Sequence, residues 1–262
     1  MKERIITAII GLILFIPLVL FGEWPFVVMV FLLATIAFFE LMRMNNVPFN
    51  SFPAIVGVVM LWLLLCDEKV LPFAERIPLS RIEIIFLAFL LLLAYTVIVK
   101  NKFTFNGVSY VLTSALYIGI GFSYFIETRY DGLEYVVFVL VVIWLTDTGA
   151  FFTGKFLGKN KLWPAISPKK TIEGFFGGVI ISVIAVLILQ SITTIHDNLL
   201  ILLLVTIFAS ITAQIGDLVE SALKRHMGVK DSGQILPGHG GILDRFDSLI
   251  FMVPFLHFIH FF

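Results

Sequence analysis

The chain has 262 residues, 60% of them hydrophobic and only 14% charged, and its 18 basic residues balance 18 acidic ones. A soluble domain runs nearer about 45–50% apolar and about 25% charged, because its surface has to be covered with polar groups. With a mean hydropathy of +1.05, the composition excludes a soluble enzyme, a disordered protein and a secreted disulfide scaffold, and it predicts an all-α, polytopic integral membrane bundle.

Met1-Lys2-Glu3-Arg4 opens an apolar run that reaches Phe21. That is too long for the core of an ordinary signal peptide and shows no small-residue cleavage site, so it is expected as a retained first span. One crossing takes about 20 helical residues. Runs of suitable length and apolarity lie at 5–21, 24–42, 52–66, 82–99, 108–126, 134–153, 172–192, 199–222 and 242–262. The third is short and the ninth is interrupted by Asp244, Arg245 and Asp247, so about nine spans are expected, with eight or ten as the neighbouring counts. The runs are apolar all round, which favours helices over barrel strands. The single Cys66 permits no internal disulfide and reads as a small buried hydrophobe.

Basic residues orient these spans. With the N-terminus inside, the cytoplasmic segments hold Lys2, Arg4, Arg43, Lys100, Lys102, Lys155, Lys159, Lys161, Lys169, Lys170, Lys224, Arg225, Lys230 and Arg245. The opposite side holds Lys69, Arg76, Arg81 and Arg129. The positive-inside rule therefore predicts an N-in, C-out topology. Residues 1–133, with about five spans, have short connections and read as scaffold. Residues 134–262 carry nearly all the Gly-, Pro- and charge-rich sequence and are expected to hold the chemistry, on the cytoplasmic side.

Ionisable residues inside spans cost roughly 2.5–3.5 kcal/mol on insertion scales and point to function. Asp147 precedes Lys155 by eight residues and Asp217 precedes Lys224 by seven, which places both on the order of 10 Å inside their helix ends. Asp244 and Asp247 lie near the start of the ninth run, and Glu173 opens the seventh. Asp217, Glu220 and Ser221 share one helix face, as do Asp244 and Asp247. Oxygen-only ligands on two facing helices make a hard-cation site of the Mg²⁺ type. The alternative is structural ion pairing, Asp217 with Arg245 and Asp244 with Arg225.

Between these helices, Pro237-Gly238-His239-Gly240-Gly241 permits a tight turn and then opens a helix whose free N–H groups favour phosphate. A second basic patch, Ile166-Ser167-Pro168-Lys169-Lys170-Thr171, leads into the seventh span. His239 reads equally as a phosphate donor or a turn residue. His226 reads as loop, and His257 and His260 as interface residues.

The stretch 221–247, SALKRHMGVKDSGQILPGHGGILDRFD, resembles the signature of phosphatidate cytidylyltransferases, with no departure along it. DTGAFFTGK and ISPKKTIEG upstream are similar to the family too, although Phe151 stands where Tyr is expected. The resemblance is strong over roughly 140–250. It implies transfer of the cytidylyl group of CTP to phosphatidate, giving CDP-diacylglycerol and pyrophosphate with Mg²⁺, and leaves a second cation open. It implies Asp217, Asp244 and Asp247 as metal ligands and Lys230, Asp231, Arg245 and Asp247 as catalytic residues. Substrate binding falls to Asp147, Ser167, Lys169, Lys170, Ser221, Lys224, Arg225, His239, Gly240 and Gly241. The expected partners are CTP, phosphatidate and the bilayer, with a homodimer left open and no nucleic acid. The expected location is a bacterial cytoplasmic membrane, with the site facing the cytoplasm. Rival readings are a polyprenol kinase, a CDP-archaeol-type synthase and, furthest off, a secondary transporter, which would place its acids nearer the midplane and often shows inverted repeats.

Overall fold

The computed structural model describes residues 2–66, 79–238 and 240–262, with side chains from Ile6 onward. Lys69, Arg76 and His239 lie outside the described residues, as do the side chains of Lys2 and Arg4. Among the described residues, nine α-helices and two short strands follow in chain order: α1 (Lys2–Phe21), α2 (Glu23–Met44), α3 (Phe52–Leu65), α4 (Arg81–Ile98), α5 (Phe105–Asp131), α6 (Leu133–Phe156), β1 (Lys161–Trp163), β2 (Ser167–Thr171), α7 (Ile172–Ile192), α8 (Leu199–His226) and α9 (Leu243–Phe258). Six of these helices, α2 and α4 to α8, are long and apolar enough to cross a membrane. Large hydrophobic side chains such as Ile13, Leu14, Ile82 and Ile192 stand exposed on them and on α1, in a density that only lipid accommodates. The chain is a multi-pass integral membrane protein.

Helix limits follow local chemistry. Ser80 and Glu83 form a reciprocal capping box at α4, the Ser80 hydroxyl accepting from the Glu83 amide at 3.3 Å and Glu83 Oε2 accepting from the Ser80 amide at 2.7 Å. Asn198 Oδ1 accepts from the amides of Leu200 and Ile201 at the start of α8. Pro53 sits in the first turn of α3, where its missing N–H is not needed.

The chain divides into two compact units. The first comprises residues 1–127 and 231–243. Its core includes Phe26, Phe38 and Phe125, with Phe26 edge-on to Phe125 at 5.2 Å between centroids. The Tyr110 hydroxyl donates to the Leu41 carbonyl at 2.7 Å. The second unit comprises residues 128–230 and 244–262. There α6 and α7 approach closely over small residues: a Cβ on Gly178 would come within 2.8 Å of the Thr146 carbonyl oxygen, and one on Gly149 within 2.9 Å of that of Gly177. Gly216 of α8 lies equally close to the Asp247 carbonyl of α9, at 2.8 Å from a built Cβ.

One element departs from the expected helix-and-loop pattern. Lys161–Trp163 and Ser167–Thr171 pair as an antiparallel hairpin, with Lys161 opposite Thr171 and Trp163 opposite Ser167. The basic patch that leads into the seventh span therefore forms a strand. Three- and five-residue strands of mixed polarity are too short to show a period of two, which is why the sequence reads as loop.

Candidate active site

The second unit contains a cavity of about 370 Å³. Helix α6 contributes Asp147, Phe151 and Gly154, strand β2 contributes Lys169 and Lys170, and α8 contributes Gln214 and Asp217. Its walls pack closely at the glycines, since a Cβ on Gly154 would lie 2.9 Å from Thr171 Oγ1 and one on Gly174 would lie 2.8 Å from the Ala150 carbonyl oxygen. Thr171 also caps α7 by accepting from the Gly174 amide at 3.1 Å, so the hairpin is tied to the helix that it precedes.

Cations and carboxylates alternate across this site. Lys170 Nζ lies 2.7 Å from Asp217 Oδ2, and the Ser221 hydroxyl donates to Asp217 Oδ1 at 3.3 Å. Asp147 is within electrostatic reach of Asp217, Lys170 and Arg245. Asp247 in turn feels Asp217, Asp147 and Lys224, and its Oδ1 accepts from the Ser248 amide at 2.7 Å. The close approach at Gly216 explains how α8 and α9 bring Asp217 and Asp247 together. A second, more buried group surrounds Lys224, whose Nζ pairs with Glu220 and lies 2.6 Å from Asp244 Oδ1. The side chain of Lys224 is 12% exposed and that of Asp244 5%. Glu220 Oε1 is buried without a hydrogen-bond partner.

Ion pairing is thus present, but with partners other than those that sequence spacing offered: Lys170 instead of Arg245 for Asp217, and Lys224 instead of Arg225 for Asp244. Arg225 is exposed and donates to the Val229 carbonyl at 3.2 Å. Lys230 and Asp231 are exposed, and Ser167 is half-buried in β2. Phe151 is exposed, and Lys155 Nζ stands 5.9 Å from its ring centroid.

The first unit holds the Gly-rich turn. Gly238 and Gly240 take φ of +75° and +82°, the left-handed region that glycine enters freely. Two of the amides expected to wait for phosphate at the start of α9 are occupied instead. Glu40 of α2 accepts from the Ile242 amide at Oε1 and from the Leu243 amide at Oε2, both at 2.9 Å. Gly241 packs against this carboxylate. Glu40, Gln214 and Glu220 lie outside every motif. Glu40 nonetheless had a signal, a lone carboxylate inside an apolar run, and Glu220 shares the helix face of Asp217.

Among the described residues, no group of three or more His, Cys, Asp or Glu side chains comes together in a metal-holding cluster. The donor set still fits Mg²⁺, which is usually held by one or two carboxylates plus substrate phosphates rather than by an all-protein cage. Asp217 and Asp247 offer such oxygens, and the unpartnered Glu220 Oε1 marks a region with acceptor capacity to spare.

The profile of the cytidylyltransferase family matches residues 2–262. The chain belongs to the cytidylyltransferase family. It is 50% identical over 262 residues to a phosphatidate cytidylyltransferase of Bacillus subtilis (strain 168), covering 99% of this chain and 97% of the relative. It is 48% identical over 259 residues to the protein of that name in Staphylococcus epidermidis (strain ATCC 12228 / FDA PCI 1200), covering 99% and 98%. The Staphylococcus aureus (strain COL) protein of the same name is 47% identical over the same length. For this cytidylyltransferase, similarity therefore extends through the first five helices as well as the motif-bearing half.

Proposed function

We propose that the chain transfers the cytidylyl group of CTP to phosphatidate, giving CDP-diacylglycerol and pyrophosphate. The observation that carries this reading is the cavity where Lys169 and Lys170 stand beside Asp147 and Asp217, in a chain whose relatives bear the name phosphatidate cytidylyltransferase. A phosphatidate oxygen attacks the α-phosphorus of CTP. The bond from that phosphorus to the oxygen bridging to the β-phosphate breaks, and its electron pair leaves with pyrophosphate.

The protein's work is positioning and charge neutralisation. Lys169 and Lys170 bind the triphosphate, Lys170 exchanging its Asp217 partner for a phosphate oxygen. Arg245 and Lys230 neutralise the reacting phosphates, while Ser167, Ser221 and the basic end of α8 (Lys224 and Arg225) orient them. A phosphomonoester with a second pKa of about 6 is largely ionised near neutral pH, so no residue has to take its proton. Asp217 and Asp247 would hold Mg²⁺, with Asp244 as the third carboxylate of the set; when bound, the metal supplies further charge neutralisation on the phosphates. We place nine crossings in the membrane, N-in and C-out, with the site on the cytoplasmic side of a bacterial cytoplasmic membrane, on the strength of the basic-residue distribution.

Purified protein with phosphatidate and cytidine-labelled CTP in mixed micelles tests the reading. Label enters the lipid phase only when phosphatidate and Mg²⁺ are both present. Label that stays in the aqueous phase under all conditions overturns it.

A further inference from the structure

Glu40 is a charged residue in α2, one turn from the end of a membrane-spanning helix, and it is only 5% exposed. A carboxylate inside a membrane-spanning helix is costly to insert, and such a residue normally marks function. Its surroundings show where that cost is offset. Its two oxygens accept from the amides of Ile242 and Leu243, both at 2.9 Å, and Oε2 also accepts from the Ser232 hydroxyl at 3.1 Å. Hydrogen bonds to a charged acceptor are roughly twice as strong as neutral ones, and the positive end of the α9 dipole favours the anion further. The neighbouring backbone is shaped to admit it. A Cβ on Gly233 would lie 2.5 Å from Glu40 Oε1, and one on Gly241 would overlap both carboxylate oxygens and the Ser232 hydroxyl.

We propose that Glu40 is a positioning residue of the cytidylyl transfer, a clamp that closes the segment from Ser232 to Leu243 and fixes where α9 begins. This rests on the functional reading above. The first amides of a helix have no partner inside it, and helix ends fray by a residue or two when nothing holds them. Leu243 is the first residue of α9, and Asp244 and Asp247 follow one and four residues later in the same helix. Clamping the Ile242 and Leu243 amides therefore holds the turn that presents both aspartates. Glu40 reaches these two amides across about 200 residues of sequence, and it acts without touching substrate.

Glu40→Gln tests this. Glutamine keeps the length but turns one acceptor into a donor facing an amide donor. In full-length protein, hydrogen exchange at the Ile242 and Leu243 amides should accelerate while the protein stays monodisperse. Activity per folded molecule should fall roughly tenfold to a hundredfold in kcat, with the CTP KM held within about twofold, because an interaction that aligns the transition state lowers kcat rather than ground-state binding. Ser232→Ala, which removes the hydroxyl bond to Oε2, should give a smaller kcat loss in the same direction. Unchanged exchange overturns the clamp. Faster exchange with wild-type kcat per folded molecule overturns the positioning role, as does a fall in yield alone. If Glu40→Gln does not fold, Ser232→Ala decides, and a wild-type kcat there counts against the proposal. A wild-type chain that makes no lipid-linked cytidine overturns the functional reading beneath it. That failure is distinct, since every variant is then equally silent while exchange still separates them.

Discussion

Asp217 is held at both oxygens, by Lys170 at 2.7 Å and by Ser221 at 3.3 Å, whereas Asp244 shares Lys224 with Glu220. The two aspartates should therefore respond differently to the same change. The Lys170–Asp217 pair is 25% and 33% exposed, and such pairs contribute only about 0–1 kcal/mol to stability. Asp217→Asn should abolish turnover and leave the thermal midpoint in detergent almost unchanged. Asp244→Asn should abolish turnover and also lower the midpoint, because Lys224 loses a buried partner, a loss of about 1–3 kcal/mol. Normal activity in either variant contradicts the ligand assignment. The lysines divide in the same way. Lys169→Ala should raise the CTP KM with a modest kcat change, more strongly at low salt where exposed charge is least screened. Lys170→Ala, which also releases Asp217, should lower kcat as well. Steady-state kinetics with CTP varied at saturating phosphatidate separates the two. Most of these residues are legible in the sequence, because an acid or a run of lysines stands out against apolar helices. The pairings are not, since they depend on which helices approach, and Glu40 with its partners some 200 residues away is beyond any local pattern.

At the scale of elements, apolar runs mark the helices closely: 172–192 is the full extent of α7, and the other ends coincide or differ by up to five residues. Runs fix helices well because the bilayer demands a set length of apolar residues. Short polar strands obey no such demand, so the hairpin at Lys161–Thr171 leaves no pattern in the sequence. The close contact of α6 and α7 is the element on which the cavity wall depends. Gly149→Val would drive its branched side chain into Ile181 Cβ, already 2.7 Å from a built Cβ, and into the Gly177 carbonyl oxygen. Overpacking of this kind costs about 1–3 kcal/mol. Thermal unfolding in detergent should show that loss, together with reduced activity, whereas Gly11→Ala, in α1 with open space around it, should show neither.

At the scale of the whole molecule, a membrane enzyme that takes a soluble nucleotide and a lipid needs a defined sidedness. The basic residues predict its sidedness. In a Cys66→Ser background, cysteines at exposed positions 160 and 235 should react with an impermeant thiol reagent from the cytoplasmic side only, and one at position 130 from the outer side only. A swapped pattern contradicts the N-in, C-out arrangement. The central claim is the transfer itself, and the fate of the CTP phosphates tests it most directly. Parallel reactions with CTP labelled at the α- or the γ-phosphate, each with phosphatidate and Mg²⁺, should put α-label in the lipid and γ-label in pyrophosphate. Label from the γ-position in the lipid, with cytidine left in solution, would show a kinase and contradict the account.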